Sequence, residues 1–211
     1  VPAVEVYGEG IFLRVSEEAM ASWEKKNKKQ IAERYAVLVQ RKEDGNLSFV
    51  PDPDPRFILL HTLAHLLIRQ LSFECGYSAS SLRERIYSSQ ASGNEEPMAG
   101  ILIYTADSDS EGSLGGLVRQ GEADRLIPTL VNAIETASWC SSDPICRELD
   151  GQGMAGLNRA ACHACALVSE TSCVHSNTLL DRSFLVNETE DSAIKGFFDA
   201  VLRKVREKQV A

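Results

Sequence analysis

Five of the six cysteines fall between Cys140 and Cys173, and their spacing is that of a metal site. Cys162-His163-Ala164-Cys165 is a C-x2-C knuckle, in which two thiolates can meet one ion while backbone amides of the turn donate to sulfur. Cys140 and Cys146 bracket a Ser-Ser-Asp-Pro-Ile turn, and Cys173 follows Cys165 eight positions on. A structural zinc is closed by four protein ligands in tetrahedral array, whereas a catalytic one keeps a position open for water. Cysteine-rich ligation points to the closed case. Seven side chains compete for the four places: the five cysteines, His163 and His175. The favoured set is Cys146, Cys162, Cys165 and Cys173, with Cys140 in reserve. Cys140 ends a predicted helix beside Trp139 and would also suit a small buried apolar position. The His163 ring, inside the knuckle, is expected to point away from the ion. Disulfides are disfavoured by the cytoplasmic setting expected of a chain without an export signal. Cys75 reads as a core residue.

Other groups could do chemistry. His61 and His65 lie four apart and share a helix face, but Thr62 stands where a zincin motif needs glutamate. A pair of histidines hydrogen-bonded within the fold is the favoured reading, with an active-site role as the alternative. The loop from Asp107 to Gly116 follows an expected buried strand, the place where α/β proteins gather ligand groups. It lacks the P-loop lysine and the EF-hand spacing, so it reads first as a polar loop capping the next helix. A hydrolase or nuclease built from His61, His65 and the Asp107–Glu111 loop is the enzymatic alternative. No complete catalytic constellation is visible, and the expectation is a protein that is not an enzyme. Arg83, Arg85, Arg159 and Arg182 are candidates for contact with nucleic acid or a partner, against a reading as salt-bridged surface arginines; Arg147 and the basic residues at 203–208 could extend such a patch.

The elements that must position these residues follow from hydrophobic period and punctuation. Residues 4–15 read as two short strands around Gly8 and Gly10. Helical pattern runs intermittently from Ser16, an N-cap followed by two glutamates, to Lys42. Asp54-Pro55 caps a segment running from Arg56 to about Glu74 that is apolar nearly all round, the mark of a central buried helix, with Gly76 as its stop. Met98–Ala106 reads as a buried strand. Further helices are expected over Ala123–Trp139, with Ile127, Leu130, Val131 and Ile134 on one side, and from Glu188 to Lys208. The fold class is α/β, with α+β as the variant: a small sheet, several packed helices and a cysteine-rich zinc loop. Residues 1–50 form a strand–helix segment and 51–211 the zinc-binding domain, unless 1–211 is one continuous domain.

The balance of charge, −8 at pH 7 with a pI near 5.1, excludes a surface that is a nucleic-acid sponge throughout. A local basic patch is still allowed. No apolar run reaches the ~18 residues a bilayer span requires, so no membrane partner is expected. At this length a core forms without help from metal, and a zinc site would organise a local region.

Several stretches taken together resemble one family: His61-Thr62-Leu63-Ala64-His65, Gly76-Tyr77, Ser81-Leu82-Arg83-Glu84-Arg85-Ile86-Tyr87, and Gly100-Ile101-Leu102-Ile103-Tyr104. Gly112-Ser113-Leu114-Gly115-Gly116, the five cysteines and Leu179-Leu180-Asp181-Arg182 extend the likeness. The family is the zinc-binding C-terminal domain shared by MrfA-type repair helicases and the B protein of the bacterial anti-phage system DISARM. Pro2-Ala3-Val4-Glu5 and Gly8-Glu9-Gly10-Ile11-Phe12 look closer to the DISARM branch. The resemblance implies a cysteine-ligated zinc and a module that accompanies a superfamily 2 helicase, fused or as a partner subunit, in a DNA-directed defence or repair assembly. It implies docking to that helicase and engagement of DNA. A purely structural scaffold is the third alternative. The chain has no Walker A sequence, so any ATPase motor would belong to another chain or domain.

Overall fold

A computed structural model describes residues 8–78, 80–90, 96–105, 116–187 and 194–210. The fold is mixed α/β, as expected: seven α-helices and one three-stranded antiparallel sheet among the described residues. In chain order these are β1 (Gly10–Arg14), α1 (Glu17–Lys26), α2 (Lys28–Asp44), α3 (Pro55–Cys75), β2 (Leu82–Tyr87) and β3 (Gly100–Thr105). Then come α4 (Gly116–Gln120), α5 (Ala123–Ala137), the short α6 (Ile145–Glu148) and α7 (Asp199–Val210). No helix among them is long and apolar enough to cross a membrane.

Helix α3 is the axis of the molecule. Asp54 accepts from the Phe57 amide at 2.9 Å and Pro55 occupies the first turn, so the helix starts where its sequence says it should. It ends at Gly76, whose φ of 73° suits a residue without a side chain. Every residue from Arg56 to Ile68 is buried, because the sheet, α5 and α1 all pack against it. Burial on all sides explains a helix whose apolar residues show no single face. Arg56 is the charged exception. It sits at the buried end of α3 and binds Glu17 and Glu24, pinning α1 to α3.

Strand β3 lies at the centre of the sheet, in the order β1–β3–β2. Along β2, Leu82 and Glu84 turn inward while Arg83 and Arg85 are exposed, the period-two alternation of a half-buried strand. Glu84 pairs in register with the buried Ile103 of β3. The outer edge of β2 is partly covered, since the Glu84 amide donates to the Ser172 carbonyl at 3.3 Å. One continuous apolar cluster joins Ile11, Trp23, Leu38, α3, Ile101, Ile134, Phe184 and Leu202.

Three expectations change, and one unassigned stretch gains an element. The helical pattern from Ser16 breaks at Asn27, giving α1 and α2; the Asn27 side chain leaves the helix register to bond the Trp23 carbonyl and the Lys195 amide. The Ser81–Ser88 stretch, unassigned in the sequence, contains β2. Ile127, expected on the packed side of α5, is exposed, whereas Ile134 is buried as expected, together with Thr129, Ala133 and Ala137. The last helix starts at Asp199; the expected start at Glu188 lies outside the described residues. Ahead of it, the Phe197 and Phe198 amides donate to Phe184 and Leu185, and Asp199 accepts from Asn187 and Gly196, which withdraws these amides from a helical ladder. The Asp107–Glu111 loop and residues 1–7 lie outside the described residues.

Candidate metal centre

The segment from Ser138 to Asn187 has little regular structure of its own: one turn of helix, two 3-10 turns and an isolated bridge from Gln152 to Asn158. Cross-links fix it. Cys140, Cys146, Cys162 and Cys165 converge, with all four sulfurs within 4.8 Å of one another. The Cys140–Cys162 separation is 3.6 Å, and Cys146–Cys165 and Cys162–Cys165 are both 3.8 Å. A tetrahedral zinc with bonds of 2.3 Å places its sulfurs about 3.8 Å apart. These are free thiols, and the spacing is far beyond the ~2.05 Å of a disulfide bond. The donor set therefore fits zinc.

Each sulfur is held by local geometry. Cys140 lies just beyond the end of α5, where its amide donates to Asp143 at 3.0 Å and its sulfur accepts from the Ser142 amide. Cys146 lies in α6, and Gln152 reaches back to its carbonyl and sulfur. In the knuckle, the Cys162 amide points at the Cys165 sulfur, 3.2 Å away. Burial alone would raise the Cys162 thiol. The Cys140 thiol and the amides of Ala164 and Cys165 outweigh that and bring it down to about 7. Cys146 goes the other way, pushed up to about 11 by burial and by neighbouring sulfurs. Four thiolates in one buried pocket repel each other unless a cation sits between them. Four thiolates and a divalent ion carry two net negative charges, and Arg182 lies close enough for Cys165 and Cys146 to favour its charged form. It is fully buried, with hydrogen bonds to the Ala137 carbonyl and the Asp143 carboxylate.

The cage differs from the favoured set by one residue. Cys140, the reserve, is inside it, and Cys173 stands elsewhere. Cys173 joins His61, His65 and Glu84 in a second group, whose ligand atoms also lie within 4.8 Å of one another. His61 and His65 occupy successive turns of α3 and face the inward side of β2. His61 Nε2 lies 2.9 Å from Glu84 Oε1 and 3.2 Å from Cys173 Sγ. His65 Nε2 is 3.3 Å from the same carboxylate oxygen. His61, His65 and Glu84 have no exposed surface. Burial holds His61 below the ordinary histidine range, and Cys173 is driven upward by burial and by Glu84. His175, half-buried, packs edge-on against His61 at 5.4 Å between ring centres.

Sequence reasoning missed Glu84 altogether. The alternation of Leu82 and Glu84 with two arginines was a signal for it, readable once Ser81–Ser88 is taken as a strand over a buried helix. Among the arginines, Arg83 and Arg85 are exposed on β2. Arg159 is nearly buried, bonded to the Arg34 carbonyl and Asp150. Arg182 is internal, so it is corrected from a contact residue to a structural one: its guanidinium is taken up by Ala137, Asp143 and the cage.

Residues 63–166 match the family described as MZB, the MrfA Zn-binding domain. That span contains Cys140, Cys146, Cys162 and Cys165, and it ends before Cys173. The chain is also 42% identical, over 208 residues and 96% of its length, to the DISARM protein DrmB of Bacillus paralicheniformis. It spans 35% of the length of that relative.

Proposed function

From a chain that carries an MrfA-type zinc-binding domain, we propose a zinc-organised docking module in a DISARM-like, helicase-containing assembly. The observation that carries this reading is where the cage puts apolar surface. Trp139 precedes Cys140 and is 68% exposed, and Ile145 precedes Cys146 and is 67% exposed. Leu149, three residues beyond Cys146, is 44% exposed. Large apolar side chains left in water on a cross-linked loop are the makings of a protein interface. Tryptophan is among the residues that most often dominate such interfaces. The zinc supplies a rigid cross-link, with no position left for substrate, and the surrounding residues present the contact. A superfamily 2 helicase-like subunit or domain is the partner favoured by the similarity to DrmB. The test is co-purification with the helicase-like product of a neighbouring gene. Trp139→Ala should weaken that complex by roughly 30-fold, the effect of losing about 2 kcal/mol at an interface hot spot. Unchanged affinity would remove the docking role of this loop.

DNA engagement is the second part of the proposal. It rests on Arg83 and Arg85, which project from the exposed side of β2. Contacts of this kind go to phosphates and position a protein on the duplex without reading sequence. Replacing both by alanine should lower affinity for duplex DNA at low salt and flatten its salt dependence, since each lost phosphate contact takes about one unit from the slope. A salt slope identical to that of the unaltered chain would argue against the patch. The enzymatic alternative is less well supported, because His61 and His65 are sealed inside the fold and Glu84 already faces them.

A further inference from the structure

We infer that His61, His65, Glu84 and Cys173 form a second closed metal site, distinct from the cysteine cage and suited to zinc. Three separate pieces of chain supply it: α3 gives two imidazoles one turn apart, β2 gives a carboxylate, and the loop bonded to the β2 edge gives a thiol.

His65 is oriented by the chain around it. Its Nδ1 lies 2.9 Å from the Ala166 carbonyl, an acceptor only, so this nitrogen carries the proton. In the neutral tautomer with that proton on Nδ1, the ring has a bare lone pair at Nε2. That lone pair faces Glu84 Oε1 at 3.3 Å, itself an acceptor. In that tautomer two acceptors point at each other in a fully buried site, an arrangement that a metal cation between them satisfies. The same arrangement, with one ring nitrogen donating to a backbone carbonyl and the other facing inward, is how metal-bound histidines are oriented. Cys173 carries the equivalent mark: its sulfur accepts from the Asn177 amide at 3.3 Å, as thiolate ligands do. Glu84 Oε2 has no hydrogen-bond partner among the described residues. Around a zinc ion with 2.0–2.3 Å bonds, neighbouring nitrogen, oxygen and sulfur ligands stand about 3.3–3.8 Å apart. The separations of 2.9, 3.2 and 3.3 Å reach that range with shifts of a few tenths of an ångström.

Charge decides the class of ion. A carboxylate and a thiolate balance a divalent cation, and the two imidazoles add nothing, so the assembled site is neutral. Neutrality is what a site without solvent contact requires. A nitrogen, oxygen and sulfur set of four protein ligands is a zinc set, closed and therefore structural. Such an ion would tie the Ser169–Thr178 loop to the centre of the core.

The test uses the whole chain, purified without chelators and supplied with zinc alone. Elemental analysis should give two zinc ions per chain. Zinc X-ray absorption should give a mixed shell of five sulfurs to three nitrogen or oxygen ligands across the two sites. Glu84→Gln, which keeps the shape but not the charge, should lose one ion and retain an all-sulfur shell. One ion per chain in the unaltered protein, with only sulfur around it, would overturn the inference, and this reading does not depend on the variant folding. A Glu84→Gln chain that keeps two ions and the mixed shell would overturn it as well.

Discussion

Cys140→Ser should release one zinc per chain and unfold the loop that carries Trp139, while the core around α3 persists. The expectation follows from the unequal supports of the two regions. From Ser138 to Asn187 the backbone relies on turns, side-chain hydrogen bonds and the cage, with little regular ladder to hold it. In isolated zinc modules the ion contributes on the order of 10 kcal/mol, and the fold is lost without it. Here the apolar cluster of α3, the sheet and α5 stands apart from the small cluster of Cys140, Cys146, Ala161, Cys165, Ala166 and Leu180. Loss should therefore be local. Hydrogen exchange would report it as vanished protection of the Cys146, Cys165 and Ala166 amides, with α3 amides unchanged. Protection retained throughout that loop would mean that the cage is dispensable to it.

Arg182→Met should cost about 3–5 kcal/mol, the usual effect of removing one partner from a buried ion pair. Asp143 would lose its guanidinium, and the Ala137 carbonyl its donor. Asp143 also accepts from the Cys140 amide, so the damage reaches the first ligand of the cage. Arg159→Ala provides the contrast. Its partner Asp150 has a side chain 77% exposed, and a pair of that kind contributes at most about 1 kcal/mol. Urea denaturation of the two variants should separate them clearly; equal losses would contradict the assignment of Arg182 to the interior.

Much of the frame was readable from the chain. Asp54-Pro55 and Gly76 bracket α3 as their chemistry requires, and continuous apolarity marked it as central. The C-x2-C knuckle announced a thiolate site before any geometry was available. The choice among cysteines was harder, because it depends on where the chain goes after each one. Cys140 looks like the last residue of a helix, and only the turn closed by Asp143 and Ser142 brings its sulfur back to Cys162. Cys173 looks like a fourth ligand by proximity in sequence, yet its neighbours His61 and Glu84 come from far upstream. Glu84 was hard to single out for a similar reason. In a stretch rich in arginine it reads as one more surface charge, until the pleat of β2 turns it toward α3. The period-two alternation gives the face that Glu84 takes, but the helix opposite it is a long-range neighbour that no local pattern names.

The central claim is that the zinc cage is Cys140, Cys146, Cys162 and Cys165, and it is tested most directly by cobalt substitution of Cys140→Ser and Cys173→Ser side by side. Charge-transfer absorption reports how many thiolates surround the ion. The Cys173→Ser chain should keep the intense four-thiolate spectrum, and Cys140→Ser should lose it. A four-thiolate spectrum that survives in Cys140→Ser and disappears in Cys173→Ser would contradict the account.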